Sequence, residues 1–117
     1  MTPRTHARIS QNHMTVHRVD IVDAKGVIRM TLASPTPPPI LDGVQYKRIL
    51  DATGILYFDN QGNERGGMAI ADIPGSAVVL ASDHENSDAI GWRVMPDGSI
   101  RFVMNQKAAV VRAVSVA

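Results

Sequence analysis

Apolar and polar residues alternate beside three short turns, and this pattern predicts an all-β protein. After the first turn, Ile28, Met30 and Leu32 occupy every second position, and residues 100–104 repeat the alternation after the third turn. A period of two places such side chains on one face of a half-buried strand. The segments that lead into the turns are rich in β-branched and aromatic residues, which favour strands; they are residues 19–22, 55–58 and 92–94.

The three turns share a Gly-x-x-Arg motif whose glycine recurs at a constant interval, at Gly26, Gly62 and Gly98. Asp at the first position of a turn, Pro at the second and Gly at the fourth are preferred in type I turns. A glycine in the left-handed conformation then forms the bulge that preserves the twist of the hairpin. We therefore predict three β-hairpins, with turns at residues 23–26, 59–62 and 95–98.

The segments between the hairpins add strands and loops to this outline. Residues 34–39 are rich in proline, which has no amide hydrogen to donate, so we expect a surface loop or arm there. Residues 42–53 have no clear period and stay unassigned. Residues 76–81 have the pattern of a buried strand. The valine-rich residues 108–116 predict a final strand that could pair with another subunit.

The whole pattern predicts a single β domain over residues 19–117, preceded by a flexible N-terminal segment over residues 1–18. We expect an antiparallel hairpin meander that forms a small barrel or sandwich. The equal spacing of the turns also allows a pseudo-threefold arrangement, and a β-trefoil is therefore the alternative architecture.

Composition excludes several classes of protein. The chain of 117 residues has no cysteine, which excludes disulfides, thiolate zinc sites and a cysteine nucleophile. Its net charge of +1 and its scattered basic residues argue against a nucleic-acid partner. No apolar run is long enough to span a bilayer, and no secretory signal follows the basic first residues, so we expect no membrane partner and a cytoplasmic location. Walker loops, dinucleotide fingerprints and serine nucleophile elbows are missing as well, and we expect no cofactor.

The first two hairpins resemble a loosely defined group of small bacterial β-hairpin-repeat proteins. The similarity lies in residues 19–30 and 54–68, where hairpin positions dominate. For this group no activity is established. The resemblance therefore implies a fold type, and it brings no catalytic residue, cofactor or partner to this chain.

Two polar clusters could carry chemistry. A symmetric fold would bring the three motif arginines, Arg29, Arg65 and Arg101, around an anion. The preferred interpretation is that each arginine instead pairs across its hairpin with an acidic residue, namely Asp20, Asp59 or Asp97. Residues 83–88 hold three carboxylates and a histidine, but their spacing fits no calcium loop, and a polar connecting loop explains them. We also interpret His6, His13 and His17 as exposed histidines, so no metal site is expected.

The middle hairpin departs from the repeat, because Gly66 and Gly67 stand where the other two copies carry side chains. Adjacent glycines weaken a strand, so they indicate a bulge, a corner or a close approach of two backbones. Departures from local rules concentrate at functional or strained sites. If the protein has a ligand pocket, we expect it here, with these candidate residues: Tyr57, Phe58, Glu64, Arg65, Gly66, Gly67 and Trp92.

The sequence favours a non-enzymatic β-rich module for binding or assembly that forms homo-oligomers. The alternative is a small β-barrel enzyme of the cyclase, isomerase or lyase type that acts on an apolar small molecule. The alternative requires an enclosed cavity near Tyr57, Glu64 and Trp92. A third hypothesis, sugar or anion binding by a trefoil, requires the motif arginines to line equivalent clefts.

Overall fold

A computed structural model describes residues 8–9, 12–85, 87–106 and 109–116. These residues form β-strands and no α-helix, which confirms the all-β class. In chain order the strands are β1 (Arg8–Ile9), β2 (Met14–Thr15), β3 (Arg18–Val22), β4 (Ile28–Ala33), β5 (Ile40–Leu41), β6 (Val44–Gln45), β7 (Ala52–Phe58), β8 (Glu64–Ala71), β9 (Ala77–His84), β10 (Ser87–Val94), β11 (Ile100–Gln106) and β12 (Ala109–Val116). The part of the chain described here holds no helix long and apolar enough to cross a membrane.

Eight of these strands form one antiparallel sheet in the order β12-β11-β10-β9-β8-β7-β4-β3. Within this sheet each strand pairs with the strand that follows it along the chain, except that β4 pairs with β7. The short strands β5 and β6 pair with each other in the connection between β4 and β7. The antiparallel meander is therefore confirmed. The sheet is not closed, because β3 and β12 are its two edges, and so the expected barrel or sandwich is not confirmed. The three repeated hairpins lie side by side in this one sheet instead of around a threefold axis.

The three repeated turns share the geometry that their sequences predict. Gly26, Gly62 and Gly98 adopt φ angles of 85°, 86° and 86°. The N–H of each glycine donates to the carbonyl oxygen of the first turn residue at 2.9 to 3.0 Å. That first residue donates its own N–H to the carbonyl of the residue after the glycine. The left-handed glycine that ends each turn is thus confirmed.

The segments outside the repeated hairpins differ more from expectation. The proline-rich loop packs against the sheet, because the Thr36 N–H donates to the Ala52 carbonyl at 2.8 Å and Thr36 is 6% exposed. The unassigned residues 42–53 contain β6 and the start of β7. Within the N-terminal segment expected to be flexible, β1 and β2 pair with each other, whereas residues 1–7 and 10–11 lie outside the described residues.

Two later segments form strands as predicted. The strand predicted at residues 76–81 is the first part of β9, which begins at Ala77, but it is only partly buried, with Ala77 alone fully enclosed among its residues. The valine-rich tail forms β12, one edge of the sheet, and residue 108 of the predicted segment lies outside the described residues.

One face of the sheet, which we call the apolar face, carries large apolar side chains across all eight strands. Directly paired residues of antiparallel strands point to the same side, and the register therefore defines a continuous row. The row consists of Val19, Leu32, Ile55, Met68, Leu80, Trp92, Phe102 and Val114. The rows on either side add further large apolar residues, including Ile21, Met30, Ile70, Val94 and Ile100.

The other face, which we call the small-residue face, carries glycine, alanine and a few larger residues. Its central row consists of Thr31, Leu56, Gly67, Ala81, Gly91 and Val103. The connection from β4 to β7 covers one half of this face, where Leu56 and Phe58 are buried and Thr31 is completely inaccessible. The core of the chain lies under this connection. The half of the small-residue face formed by β9, β10 and β11 instead borders an open cleft.

Candidate functional site

Strand β8 runs without interruption through Gly66 and Gly67. A Cβ atom on Gly66 would overlap the carbonyl oxygen of Ala81 on β9, and one on Gly67 would overlap the carbonyl oxygen of Ile55 on β7. Gly66 also has a φ angle of +138°, in a region that side-chain-bearing residues rarely adopt. The break in the repeat therefore marks a close approach of β8 to both neighbouring strands, together with a bulge beside it.

The candidate ligand residues of the middle hairpin lie on both sides of the sheet. Tyr57 and Trp92 belong to the apolar face, three strands apart. Phe58 and its cross-strand partner Glu64 belong to the small-residue face. Since the sheet separates these two pairs of side chains, they do not line one enclosed pocket.

Glu64 forms a partly buried ion pair that ties the β4–β7 connection to the sheet. The Arg48 Nη2 atom lies 2.9 Å from the Glu64 Oε1 atom, and the two side chains are 24% and 14% exposed. Arg48 also donates from Nε and Nη2 to the Pro37 carbonyl at 3.1 and 2.9 Å. Glu64 thus has a structural contact that explains its position without a ligand.

Arg29 and Arg65 are equivalent in the structure. Each is the extra residue of a β-bulge that follows its turn, in β4 and in β8 respectively. Each guanidinium lies 3.6 Å from the aspartate that begins its own turn, which is Asp23 for Arg29 and Asp59 for Arg65. The predicted Arg65–Asp59 pair is confirmed, whereas the expected pairing of Arg29 with Asp20 is wrong.

Asp20 instead pairs with Arg18 at 2.9 Å and accepts a hydrogen bond from the Thr31 hydroxyl at 2.8 Å.

The two arginines in the bulges, Arg29 and Arg65, also form a hydrogen bond with the next strand of the sheet. The Arg29 Nε atom donates to the Phe58 carbonyl at 3.0 Å, and Arg65 donates to the Asp83 carbonyl from Nε and Nη2 at 3.2 and 3.0 Å. These arginines therefore join each hairpin to the strand beyond it.

The aspartates that begin these two turns are held ionised. Hydrogen bonds from the backbone N–H groups of Val27 and Lys25, with the Arg29 charge, lower the pKa of Asp23 against a smaller opposing effect of desolvation. For Asp59, desolvation is the largest single effect and acts to raise its pKa. The N–H groups of the turn and the Arg65 charge together outweigh desolvation and lower the pKa of Asp59 below its ordinary value.

Arg101 behaves differently from the other two motif arginines. Its hairpin has Met95 where the others have aspartate, and its strands pair without a bulge next to the turn. Arg101 therefore lies directly opposite Arg93, on the small-residue face. Among the described residues neither arginine forms an ion pair, so the expected pairing of Arg101 with Asp97 is absent. The Asp97 carboxylate accepts the Ser99 N–H at 2.9 Å instead.

Arg93 and Arg101 border the open cleft on the small-residue face. The cleft has a volume of about 270 Å³ and lies between β9, β10 and β11. Ala81, Gly91 and Val103 form its floor, while Asp88 and Asn105 also line it.

The polar loop predicted at residues 83–88 is wrong for most of its length, because residues 83–84 end β9, residues 87–88 begin β10, and residue 86 lies outside the described residues. The pairing of these two strand ends places two carboxyl groups together. Asp83 lies directly opposite Asp88 in the strand register. Desolvation of Asp83, a hydrogen bond with Asp88 and the charges of Asp88 and Glu64 raise the pKa of Asp83 to about 7. The Asp83 Oδ1 and Asn105 Oδ1 atoms are buried and accept no hydrogen bond.

The described residues contain no group of three His, Cys, Asp or Glu side chains that could hold a metal ion. His6 lies outside these residues, and the His17 carbonyl accepts the Ser34 N–H at 2.9 Å.

Sequence reasoning missed two features, the continuous apolar face and the cleft that contains Arg93 and Asp88. Both depend on how the hairpins are aligned with one another. A signal was present for the cleft, because Arg93 lies two positions before the third turn and Arg101 three positions after it, which is close enough for the two to pair across the hairpin. Comparisons with protein-family models, curated proteins and solved structures gave no match to this chain.

Proposed function

We propose that this chain is a non-enzymatic assembly module that forms homo-oligomers through its apolar face. The observation that carries the proposal is the exposure of that face. Ile70 is 47% exposed, Ile100 is 48% exposed and Trp92 is 36% exposed. These residues lie in adjoining rows of one face, whereas large exposed apolar patches on monomeric proteins are uncommon.

Among the described residues the centre of this face stays exposed, as at Ile70 and Trp92, although Met14 and Val16 border it beside Val19 and Leu32. A sheet with one apolar side becomes stable when another layer covers that side. The β4–β7 connection lies on the small-residue face, and in the three central rows from β3 to β11 the apolar face carries no charged side chain. An uncharged, apolar surface of this kind favours an equally apolar partner.

A second copy of the chain is the partner that fits best. A twofold axis brings the same patch of both subunits together, so an apolar face of this kind complements itself. Eight strands about 4.8 Å apart, with about 17 Å of each strand in contact, give a flat area of roughly 650 Å². This is close to the roughly 800 Å² per partner of a standard stable interface.

Light scattering coupled to size-exclusion chromatography tests the proposal. We expect the wild-type chain to elute as an oligomer. The double variant Ile70→Glu/Trp92→Glu should elute as a monomer, because burying two carboxylates in an apolar interface costs several kcal/mol. The matched control is Asn60→Glu/Gln61→Glu, which adds the same charge at exposed positions of the second turn and should leave the oligomer intact.

Circular dichroism should show that the double variant keeps its β structure. If it does not fold, the single variant Ile100→Glu, at the first residue of β11, provides the same test with a smaller perturbation. A wild-type chain that is monomeric at high micromolar concentration would overturn the proposal. The proposal would also fail if Ile70→Glu/Trp92→Glu and Ile100→Glu each folded and still formed the oligomer.

A further inference from the structure

The open cleft on the small-residue face lies on the side of the sheet opposite the proposed assembly surface. We call it the bipolar cleft, because Arg93 and Arg101 line one end, while Asp88 and Asn105 lie towards the other. The assembly proposal does not use any of these four side chains. Their arrangement therefore needs its own explanation.

The arginine end of the cleft has an excess of positive charge. Arg93 and Arg101 are directly opposite each other, and like charges at such positions destabilise a sheet. Among the described residues no carboxylate pairs with either of them. Two guanidinium groups beside one another can share a carboxylate through charge-assisted hydrogen bonds, and such an anion removes their repulsion.

The other end of the cleft has an excess of hydrogen-bond acceptors. Asp88 lies opposite Asp83, and this pair repeats the like-charge arrangement with negative groups. The Asn105 side-chain nitrogen donates to the Asp88 carbonyl at 3.0 Å, while the Asn105 Oδ1 atom is buried without a donor. Asp83 Oδ1 is also buried without a donor, but Asp83 lies beside the cleft and is not part of its lining. An ammonium group in the cleft supplies the donors and the positive charge that Asp88 and Asn105 lack.

The floor between the two ends leaves space for a short chain. It consists of small or apolar residues, among them Ala81, Gly91 and Val103. A Cβ atom on Gly91 would lie 2.6 Å from the Leu80 carbonyl oxygen, so this position stays free of a side chain. The volume of about 270 Å³ falls just below the roughly 300 Å³ at which ligand pockets begin, which suits a small metabolite.

We infer that the bipolar cleft binds a small zwitterion, with its carboxylate between Arg93 and Arg101 and its ammonium group at Asp88 and Asn105. Arg101 and Asn105 are four positions apart along β11, which corresponds to about 13 Å between their Cα atoms. Side chains that reach inwards from both ends leave room for an aliphatic chain of a few carbon atoms. The ligand class is therefore an amino acid whose two charges are separated by such a chain.

Isothermal titration calorimetry with three compounds of matched length tests this inference. The probes are 5-aminopentanoate, pentanoate, which lacks the ammonium group, and pentylamine, which lacks the carboxylate. We expect 5-aminopentanoate to bind at least about tenfold more tightly than either of the others, since each end adds a charge-assisted contact.

Variants of the chain locate the binding site. Arg93→Gln/Arg101→Gln should weaken the binding of 5-aminopentanoate by at least about tenfold and bring it close to that of pentylamine. Lys25→Gln is the matched control, because it removes a positive charge from the exposed first turn and should leave binding unchanged. The variant Asp88→Asn should weaken the binding of 5-aminopentanoate and leave the binding of pentanoate unchanged.

A pH series adds an independent readout. The pKa of Asp83 is raised to about 7 by its desolvation and by Asp88 and Glu64, with Arg65 opposing them. The Asp83–Asp88 pair is therefore more negative at pH 8 than at pH 6. Binding of 5-aminopentanoate should be several-fold tighter at pH 8, whereas pentanoate should not gain affinity.

Three results would overturn the inference. They are the absence of measurable 5-aminopentanoate binding to the folded wild-type chain, equal binding of pentanoate, and unchanged binding in the folded arginine double variant. Each is independent of oligomeric state, because the cleft and the apolar face lie on opposite sides of the sheet. A negative binding result therefore does not contradict the assembly proposal, and a monomeric wild-type chain does not contradict zwitterion binding.

Discussion

Two glycines of similar appearance in the sequence have different structural roles. Gly98 ends the third turn with a φ angle of 86°, and no atom outside its immediate chain neighbours lies within 4 Å of the place where a Cβ would be. Gly66 has a φ angle of +138°, and a Cβ there would overlap the backbone of β9 at Ala81. At position 98 only the backbone dihedral angles favour glycine. At position 66 the short distance between β8 and β9 also requires a residue without a Cβ atom.

Gly66→Ala should therefore destabilise the protein more than Gly98→Ala. We expect a loss of about 3 kcal/mol or more in the free energy of unfolding for Gly66→Ala, from combined backbone strain and strand displacement. Gly98→Ala should lose only about 1–2 kcal/mol, from its left-handed conformation. Urea unfolding followed by circular dichroism measures both values, and equal losses would show that the approach of β8 to β9 is not tight.

At the scale of the element, the residue that begins each turn decides how the following strand pairs. Asp23 and Asp59 accept N–H groups of their own turns and lie next to the arginine of a bulge. The Met95 side chain cannot accept these N–H groups or pair with an arginine. The strands of the third hairpin pair without a bulge, and Arg101 lies directly opposite Arg93. The third hairpin has the same turn as the other two but a different strand after it, and this difference leaves Arg101 at the cleft.

Met95→Asp should make the third hairpin resemble the first two. The new carboxylate can accept N–H groups of the turn and attract Arg101, which should raise the free energy of unfolding by about 0.5–1 kcal/mol. Met95→Ala is the control, because it removes the same half-buried side chain without adding a carboxylate, and it should lower stability slightly. Thermal unfolding of the three proteins measures the differences. A Met95→Asp protein no more stable than Met95→Ala would contradict this explanation of the hairpins.

At the scale of the whole molecule, the sequence predicts what is local. Each turn follows from four consecutive residues, and Gly26, Gly62 and Gly98 adopt the predicted conformation. The alternation on either side of them predicts strands for the same reason. The alignment between hairpins is set by long-range pairing, which no single hairpin encodes. For this reason the sequence did not reveal that Phe58 and Trp92 project from opposite faces.

The same limit applies to the shape of the sheet. Regular hairpin spacing suits a barrel, a sandwich or a trefoil equally well, and the observed open meander depends on which strands end as edges. Among residues whose side chains are described, the buried apolar ones are Ala33, Leu56, Phe58 and Ala77. This core lies largely under the β4–β7 connection, so much of the apolar surface that the described strands carry stays exposed.

Folding of this chain should consequently depend on its concentration. If the apolar face is buried only on association, the oligomer is stabilised by mass action, and the unfolding midpoint should rise by about 3 °C for each tenfold increase in concentration. Differential scanning fluorimetry across a hundredfold concentration range measures this slope.

The monomeric Ile70→Glu/Trp92→Glu variant should unfold at a lower and concentration-independent midpoint, because it has no association equilibrium to shift. The Asn60→Glu/Gln61→Glu control should retain the wild-type slope. Superimposable wild-type curves at all concentrations would mean that the exposed apolar rows are compatible with a stable monomer.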